Sequence, residues 1–270
     1  MLRMARLQAA AVVEAIPRDW FEEYVRALLD RAEDLRTDEE GRIQGDEELA
    51  DVALVEGDHL TAGARYQRHT DPPEGEDGNG TTSELLITSW ERTREVSAAV
   101  TTWHPDDQKT TWTVKLSDPG APRSLVAGGE HHAAKRLHRL SWAARLDIRQ
   151  WWRQVEGGGG QAPVTVLLRH HYGQARLLVR AAAEGGGKWR LGLTLVVRGR
   201  GWVRPLAAVG LLFVRSKLEA ELREAVAEIA ENWNADIPEL LKHDPRDAGV
   251  WVPELRRDRE ELDRWLAENG

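Results

Sequence analysis

Lys188-Trp189-Arg190-Leu191-Gly192-Leu193-Thr194-Leu195-Val196-Val197-Arg198-Gly199 runs through Arg200-Gly201-Trp202-Val203 into Arg204-Pro205-Leu206, and this stretch decides the fold. Trp189, Leu191, Leu193, Leu195 and Val197 recur every second residue, so a strand here carries one wholly apolar face. Gly199-Arg200-Gly201 breaks the pattern. Arg204-Pro205 opens a helix, because proline is tolerated in a first turn where its missing N–H would be unpaired anyway. From there Ala207, Leu211, Val214, Leu218, Leu222, Val226, Ile229 and Trp233 recur at three or four residues, one continuous helical stripe. Such a helix is about 43 Å long at 1.5 Å per residue. It needs an equally long surface to lie on, and the preceding strands are the candidate.

Working outward, the chain of 270 residues has room for one large domain or two small ones. Charged residues make up 30% and mean hydropathy is −0.53, which marks a soluble chain. No apolar run reaches the roughly 18 residues of a membrane span, and Met1 to Arg6 has no apolar signal core. Cysteine is absent, which excludes disulfides, thiol nucleophiles and thiolate metal sites. A cytoplasmic location is the default expectation. Tryptophan (12) outnumbers Phe (2) and Tyr (3); large aromatic side chains fill cores or line apolar binding faces. Charge is unevenly spread. From His131 to Lys217 there are 16 Lys and Arg against three acids (Asp147, Glu156, Glu184), while the rest of the chain holds 21 bases and 42 acids. Either the two parts pair internally or the basic one meets an anionic partner.

Before the deciding stretch, Ala5, Leu7, Ala9, Ala11 and Val13 alternate as a first strand. Trp20, Tyr24, Leu28 and Ala32 follow at helical spacing to near Leu35. Thr37 to Glu48 reads as a solvated loop or poor helix. Asp51 to Gln67 has strand character broken at Glu56-Gly57-Asp58, and His69 to Thr82 is a Pro-, Gly- and acid-rich loop. Ser83 to Trp103 reads as a hairpin and Thr111 to Leu116 as a strand. His131 to Val155 reads as a helix with the stripe Leu137, Leu140, Ala144, Ile148, Trp151, Val155. On another of its faces Arg145, Arg149 and Arg153 lie four apart. Gly157 to Gly160 is a flexible tether, followed by strands over Val164 to His171 and Gln174 to Ala183.

One strand, an immediate helix, a run of antiparallel strands and a long closing helix is the order of the helix-grip fold. Three segments carry a resemblance to the START/Bet v 1-like (SRPBCC) superfamily, in particular its polyketide cyclase/dehydrase branch: Ala5 to Ala15 with Pro17-Arg18-Asp19-Trp20-Phe21; Ser83 to Glu91 with Arg94-Glu95-Val96; and Leu193 to Gly199 through Trp202-Val203-Arg204-Pro205-Leu206. The resemblance implies an α+β domain, a curved antiparallel sheet wrapped round the long C-terminal helix, with an apolar cavity between them. On this reading residues 1–235 form the helix-grip domain, 131–155 an inserted helix or the remnant of a second copy, and 236–270 an appendage.

The implied ligand is a hydrophobic or aromatic small molecule or lipid, held by a carrier or a polyketide cyclase-like enzyme. Trp189, Leu191, Leu193, Leu195, Leu211, Val214 and Leu218 would line the cavity, with His170 and Arg204 as polar contacts. His170, in Arg169-His170-His171-Tyr172, shares a strand face with Val164, Val166 and Leu168. It would act as acid–base, or be held by a backbone partner at the hairpin. Glu130-His131-His132 with His138 offers metal-ligand types, but adjacent histidines on a helix diverge, so neither metal nor other cofactor is expected. His104, in a Pro- and Asp-rich turn, is expected to be exposed. Asp106-Asp107-Gln108-Lys109 lacks the second acid a nuclease site needs. No nucleophile-elbow, phosphate-loop or dinucleotide motif occurs. The alternative function is a non-enzymatic interaction protein. It would use Arg145, Arg149 and Arg153 with Trp151 and Trp152 on nucleic acid, anionic lipid or an acidic protein.

Overall fold

A computed structural model describes residues 5–44, 49, 51–70, 80–104, 108–132, 140–199 and 204–247, with the backbone alone over 204–215. The elements follow in the order β1 (Ala5–Glu14), α1 (Arg18–Asp34), β2 (Arg36–Thr37), β3 (Ile43–Gln44), β4 (Val52–Glu56), β5 (Arg65–Thr70), β6 (Thr81–Glu91), β7 (Glu95–Trp103) and β8 (Lys109–Ser117). They continue with β9 (Ser124–His132), β10 (Leu140–Asp147), α2 (Ile148–Val155), β11 (Val164–His170), β12 (Gly173–Gly185), β13 (Lys188–Gly199) and α3 (Arg204–Leu240). Eleven strands form one antiparallel sheet in the order β1-β13-β12-β11-β10-β9-β8-β7-β6-β5-β4. The first strand thus closes on the last, Leu7 opposite Leu195 and Val13 opposite Trp189. The architecture is the α+β helix-grip that the alternation and the long helix predict.

Two stretches depart from expectation. Of the helix expected over His131 to Val155, the described residues are helical only from Ile148. Leu140 to Asp147 is a strand between β9 and β11, and the unforeseen β9 pairs with β8. Leu140, Trp142, Ala144 and Leu146 alternate as well as they fit a helical stripe. The ambiguity is resolved by two neighbouring strands whose N–H and C=O groups this segment satisfies. Helix α2 begins where Asp147 caps it, its Oδ1 accepting from the Gln150 N–H at 2.9 Å. Helix α2 is therefore eight residues long. The other departure is α3, which continues past Trp233 and residue 235 to Leu240, with Ile237 fully buried. Its 37 residues span about 55 Å.

Helix α3 lies beside the edge strand β1. Asn234 accepts from the Glu14 N–H at 2.7 Å and donates to the Val12 carbonyl at 3.1 Å, while the Trp233 indole N–H donates to the Glu14 carbonyl at 2.8 Å. These bonds occupy the backbone groups of Val12 and Glu14 that an open sheet edge would present. Asn234→Leu keeps the branched shape and strands two of them. The expected loss is about 1–3 kcal/mol, read as a lower urea midpoint at unchanged slope.

Helices α1, α2 and α3 close one end of the sheet around Val13, Ile148, Trp152, Trp189 and Ala230, with Phe21 and Trp233 packed against them. A second core at the far edge holds Ile43, Ala64, Tyr66 and Ile87, with Leu35 after the end of α1 against it. Helix α1 is tied to that side by Arg92, which donates to Glu33 at 2.7 Å and Asp30 at 2.6 Å, and by the Trp90 N–H on Glu33. The Arg92 hydrogen bond holds the Glu33 carboxyl below its usual range. After α3 the chain returns to α1 through Arg246 on Glu23.

Candidate functional site: an uncharged apolar sheet face

Strand register sorts the side chains of β7 to β13 and β1 onto two faces. The inner face, on the side of Trp189 and the helices, is laid out in rows across the strands. One row is Val96, Leu116, Leu125, Leu146, Val164, Val179, Leu193 and Ala9. The next is Ala98, Val114, Ala127, Ala144, Val166, Leu177, Leu195 and Leu7. The third is Val100, Trp112, Gly129, Trp142, Leu168, Ala175 and Val197. None of these positions carries a charge. The basic residues of the same strands, Lys109, Lys115, Arg145, Arg169, Arg176, Arg180, Arg190, Arg198 and Arg6, all fall on the outer face. The basic strand residues of the second half therefore share one sheet surface. Some basic residues are paired there: Arg190 with Glu184, Lys115 with Glu95, Lys188 with Glu14 at 2.7 Å.

Most of the inner rows are half-buried rather than buried, and Leu168 is 41% exposed. A closed core would remove these side chains from solvent. Among the described residues, α3 packs chiefly on β1 and β13, leaving the rows on β8 to β12 as a wide apolar surface. Trp112 and Trp142 stand in its middle, on either side of Gly129. A Cβ at Gly129 would lie 2.8 Å from the Trp142 Nε1 and 3.1 Å from the Trp112 Cβ, so the missing side chain is what lets the two tryptophans sit there.

One end of the face is polar. The fourth inner row is Ser83, Thr102, Thr110, His131, Leu140 and His170. The Ser83 and Thr102 hydroxyls lie 3.0 Å apart. The Thr110 Oγ1 stands between His104 Nε2 and His131 Nδ1, 3.0 Å from each. Burial, with the neighbouring His104 and His132, pushes the His131 imidazole below its ordinary range. That shift favours the neutral imidazole.

The sequence-derived site residues fall as follows. Trp189 is buried in the helix-covered core, between Trp151 at 5.2 Å and Trp152 at 5.9 Å. Leu191, Leu193 and Leu195 share its face and are half-buried, as is Leu218 on α3. The side chains of Arg204, Leu211 and Val214 lie outside the described residues. His170 sits on the inner face as alternation predicts, and its Nδ1 accepts from the Tyr172 N–H at 3.4 Å. His104 is not an exposed turn residue but half-buried, held by Thr110. The sequence reading missed the His104–Thr110–His131 chain because a helix was expected at His131. The only local signal was the alternation of β8.

His131 and His132 fall on opposite faces of β9, and Glu130 pairs with His132 at 3.1 Å. His138, Asp106 and Asp107 lie outside the described residues, among which no three His, Cys, Asp or Glu gather as a metal site. The arginine set of the alternative function is not one helix face. Arg145 is on β10, 3.9 Å from Asp147, whereas Arg149 and Arg153 are on α2. The change from strand to helix at Asp147 breaks their spacing. Trp152 is 7% exposed and Trp151 packs on Trp189, so neither is free to stack on a base. A nucleic-acid or anionic-surface partner through these residues is not supported. No described helix is long and apolar enough to cross a membrane.

No protein-family model matches the sequence, and no curated protein matches it. Among solved structures, the crystal structure of Ara h 8.0201 aligns with 83% of this chain and 97% of that one, at 9% sequence identity and a TM-score of 0.18. The helix-grip architecture rests on the strand order and the placement of α3.

Proposed function

We propose that this protein binds a hydrophobic or aromatic small molecule or lipid on the inner sheet face, in the space between the sheet and α3. The observation that carries the reading is the uncharged inner face of β7 to β13, three rows deep and half-buried. Contiguous apolar surface of this extent is unfavourable in water, and a ligand that covers it gains about 25 cal/mol for each Å² removed from solvent. A carrier role is favoured over a cyclase-like one. His170, the acid–base candidate, has one ring nitrogen engaged by the hairpin backbone, and no carboxylate faces it among the inner rows.

The test is a titration with 1-aminoanthracene, an uncharged fluorophore, at 50 and 500 mM NaCl. Saturable binding is expected at a Kd that differs by no more than about twofold between the two salts, because burial of neutral surface releases few ions. Absence of saturation, or affinity that collapses with salt, would remove the apolar face as the binding site.

A further inference from the structure

We infer that the ligand carries an uncharged oxygen head, a hydroxyl or carbonyl, seated at the Thr110–His131 end of the inner face, with its apolar body over the tryptophan row. The inference rests on the binding role just proposed and specifies the chemistry of that site. The apolar rows run for about 20 Å along the strands, at two residues of roughly 3.4 Å per row, and then give way to hydroxyls and imidazoles. A ligand apolar from end to end would leave that fourth row facing hydrocarbon, at the cost of desolvating groups that need partners.

The hydrogen-bond chain defines what the head can be. Thr110 has one hydroxyl proton and stands between two ring nitrogens. When it donates to His131 Nδ1, His131 carries its proton on Nε2 and can donate to a ligand oxygen. When it donates to His104 Nε2, His131 holds its proton on Nδ1 and Nε2 can accept. Turning the hydroxyl, with an exchange of tautomer in both imidazoles through solvent, therefore switches His131 between donor and acceptor with no change of charge. A hydroxyl suits both states and a carbonyl oxygen suits one. The remaining nitrogen of His131 has no partner among the described residues, and the Trp142 indole N–H, against Gly129 in the adjoining row, is a further donor.

A carboxylate fits poorly. The described inner positions of β7 to β13 and β1 hold no Lys or Arg. Burial, with His104 and His132, lowers the His131 pKa and so disfavours a cation there. The one arginine in line with this row is Arg68 on β5, which is paired with Asp51 at 2.6 Å. Four strand spacings, about 19 Å, separate it from His131. An anionic head would be desolvated with no countercharge.

The experiment displaces 1-aminoanthracene at pH 7.5 with decan-1-ol and with decanoate, on the wild type and on Thr110→Val, a near-isosteric change that removes only the hydroxyl. Decan-1-ol is expected to bind at least about tenfold more tightly than decanoate. Thr110→Val should weaken decan-1-ol about tenfold while leaving the fluorophore itself within about twofold. His131→Leu, a second variant, should behave in the same way. Equal affinity for alcohol and carboxylate, or an alcohol preference that survives both variants, overturns the inference while the apolar site stands. Failure of the wild type to bind the fluorophore overturns both.

Discussion

Leu168→Glu is expected to weaken binding of 1-aminoanthracene severely, and Leu167→Glu, one residue earlier, to leave it intact. Leu168 lies on the inner face of β11, opposite Trp142 on one side and Ala175 on the other. A carboxylate there enters the centre of the apolar rows and must lose its water when a ligand covers it. The expected weakening is about 30-fold or more, equivalent to at least about 2 kcal/mol. Because Leu168 is 41% exposed in the free protein, the folded state tolerates the charge, and stability should change by no more than about 1 kcal/mol. Leu167 points to the outer face opposite Arg176, where a glutamate meets a cross-strand base. The paired measurement is a fluorescence titration with a thermal melt of each variant. If both substitutions weaken binding equally, the ligand is not on the inner face.

Trp189→Ala is the change with the largest expected effect on stability. Trp189 is 8% exposed, stands opposite Val13, meets the rings of Trp151 and Trp152 edge-on, and shares its core with Ile148 and Ala230. Its removal opens a cavity where all three helices meet the sheet. The cost is about 3–5 kcal/mol, a fall in Tm of roughly 10 °C for a chain of this size. Ile229→Ala on α3 is the control. Both Ile229 and Ala230 fit an apolar stripe, but Ile229 is 66% exposed and Ala230 is buried. Ile229→Ala should cost less than about 0.5 kcal/mol. Urea unfolding measures both. A loss below about 1 kcal/mol at Trp189 would show that this junction is not the principal core.

Much of the fold and part of the site were legible in the residues. The alternation of Ala5 to Val13 and of Trp189 to Val197 marked two strands, and the same alternation placed Trp189 and Leu191 on one face and His170 with Val164 and Val166. Those statements need only the two-residue period of a strand. Residues 140–147 were not legible in this way. A run that satisfies both periods is settled by its neighbours, and those neighbours, β9 and β11, are brought there by the sheet. The His104–Thr110–His131 chain was hidden for the same reason, since its Thr110–His131 link joins residues 21 apart through a register no local pattern records.

By itself the sequence determined a helix-grip order of elements, an apolar face on each of its first and last long strands, and a basic second half poor in acids. These follow from periodicity and composition, which are properties of neighbouring residues. Only the tertiary structure decided that the basic residues of β8 to β13 and β1 share the outer sheet surface, that α3 turns Ala230 rather than Ile229 to the core, and that a polar row closes one end of an uncharged face. Each depends on the pairing of distant segments, where satisfying backbone hydrogen bonds and burying apolar area outweigh the small local preferences of any one stretch.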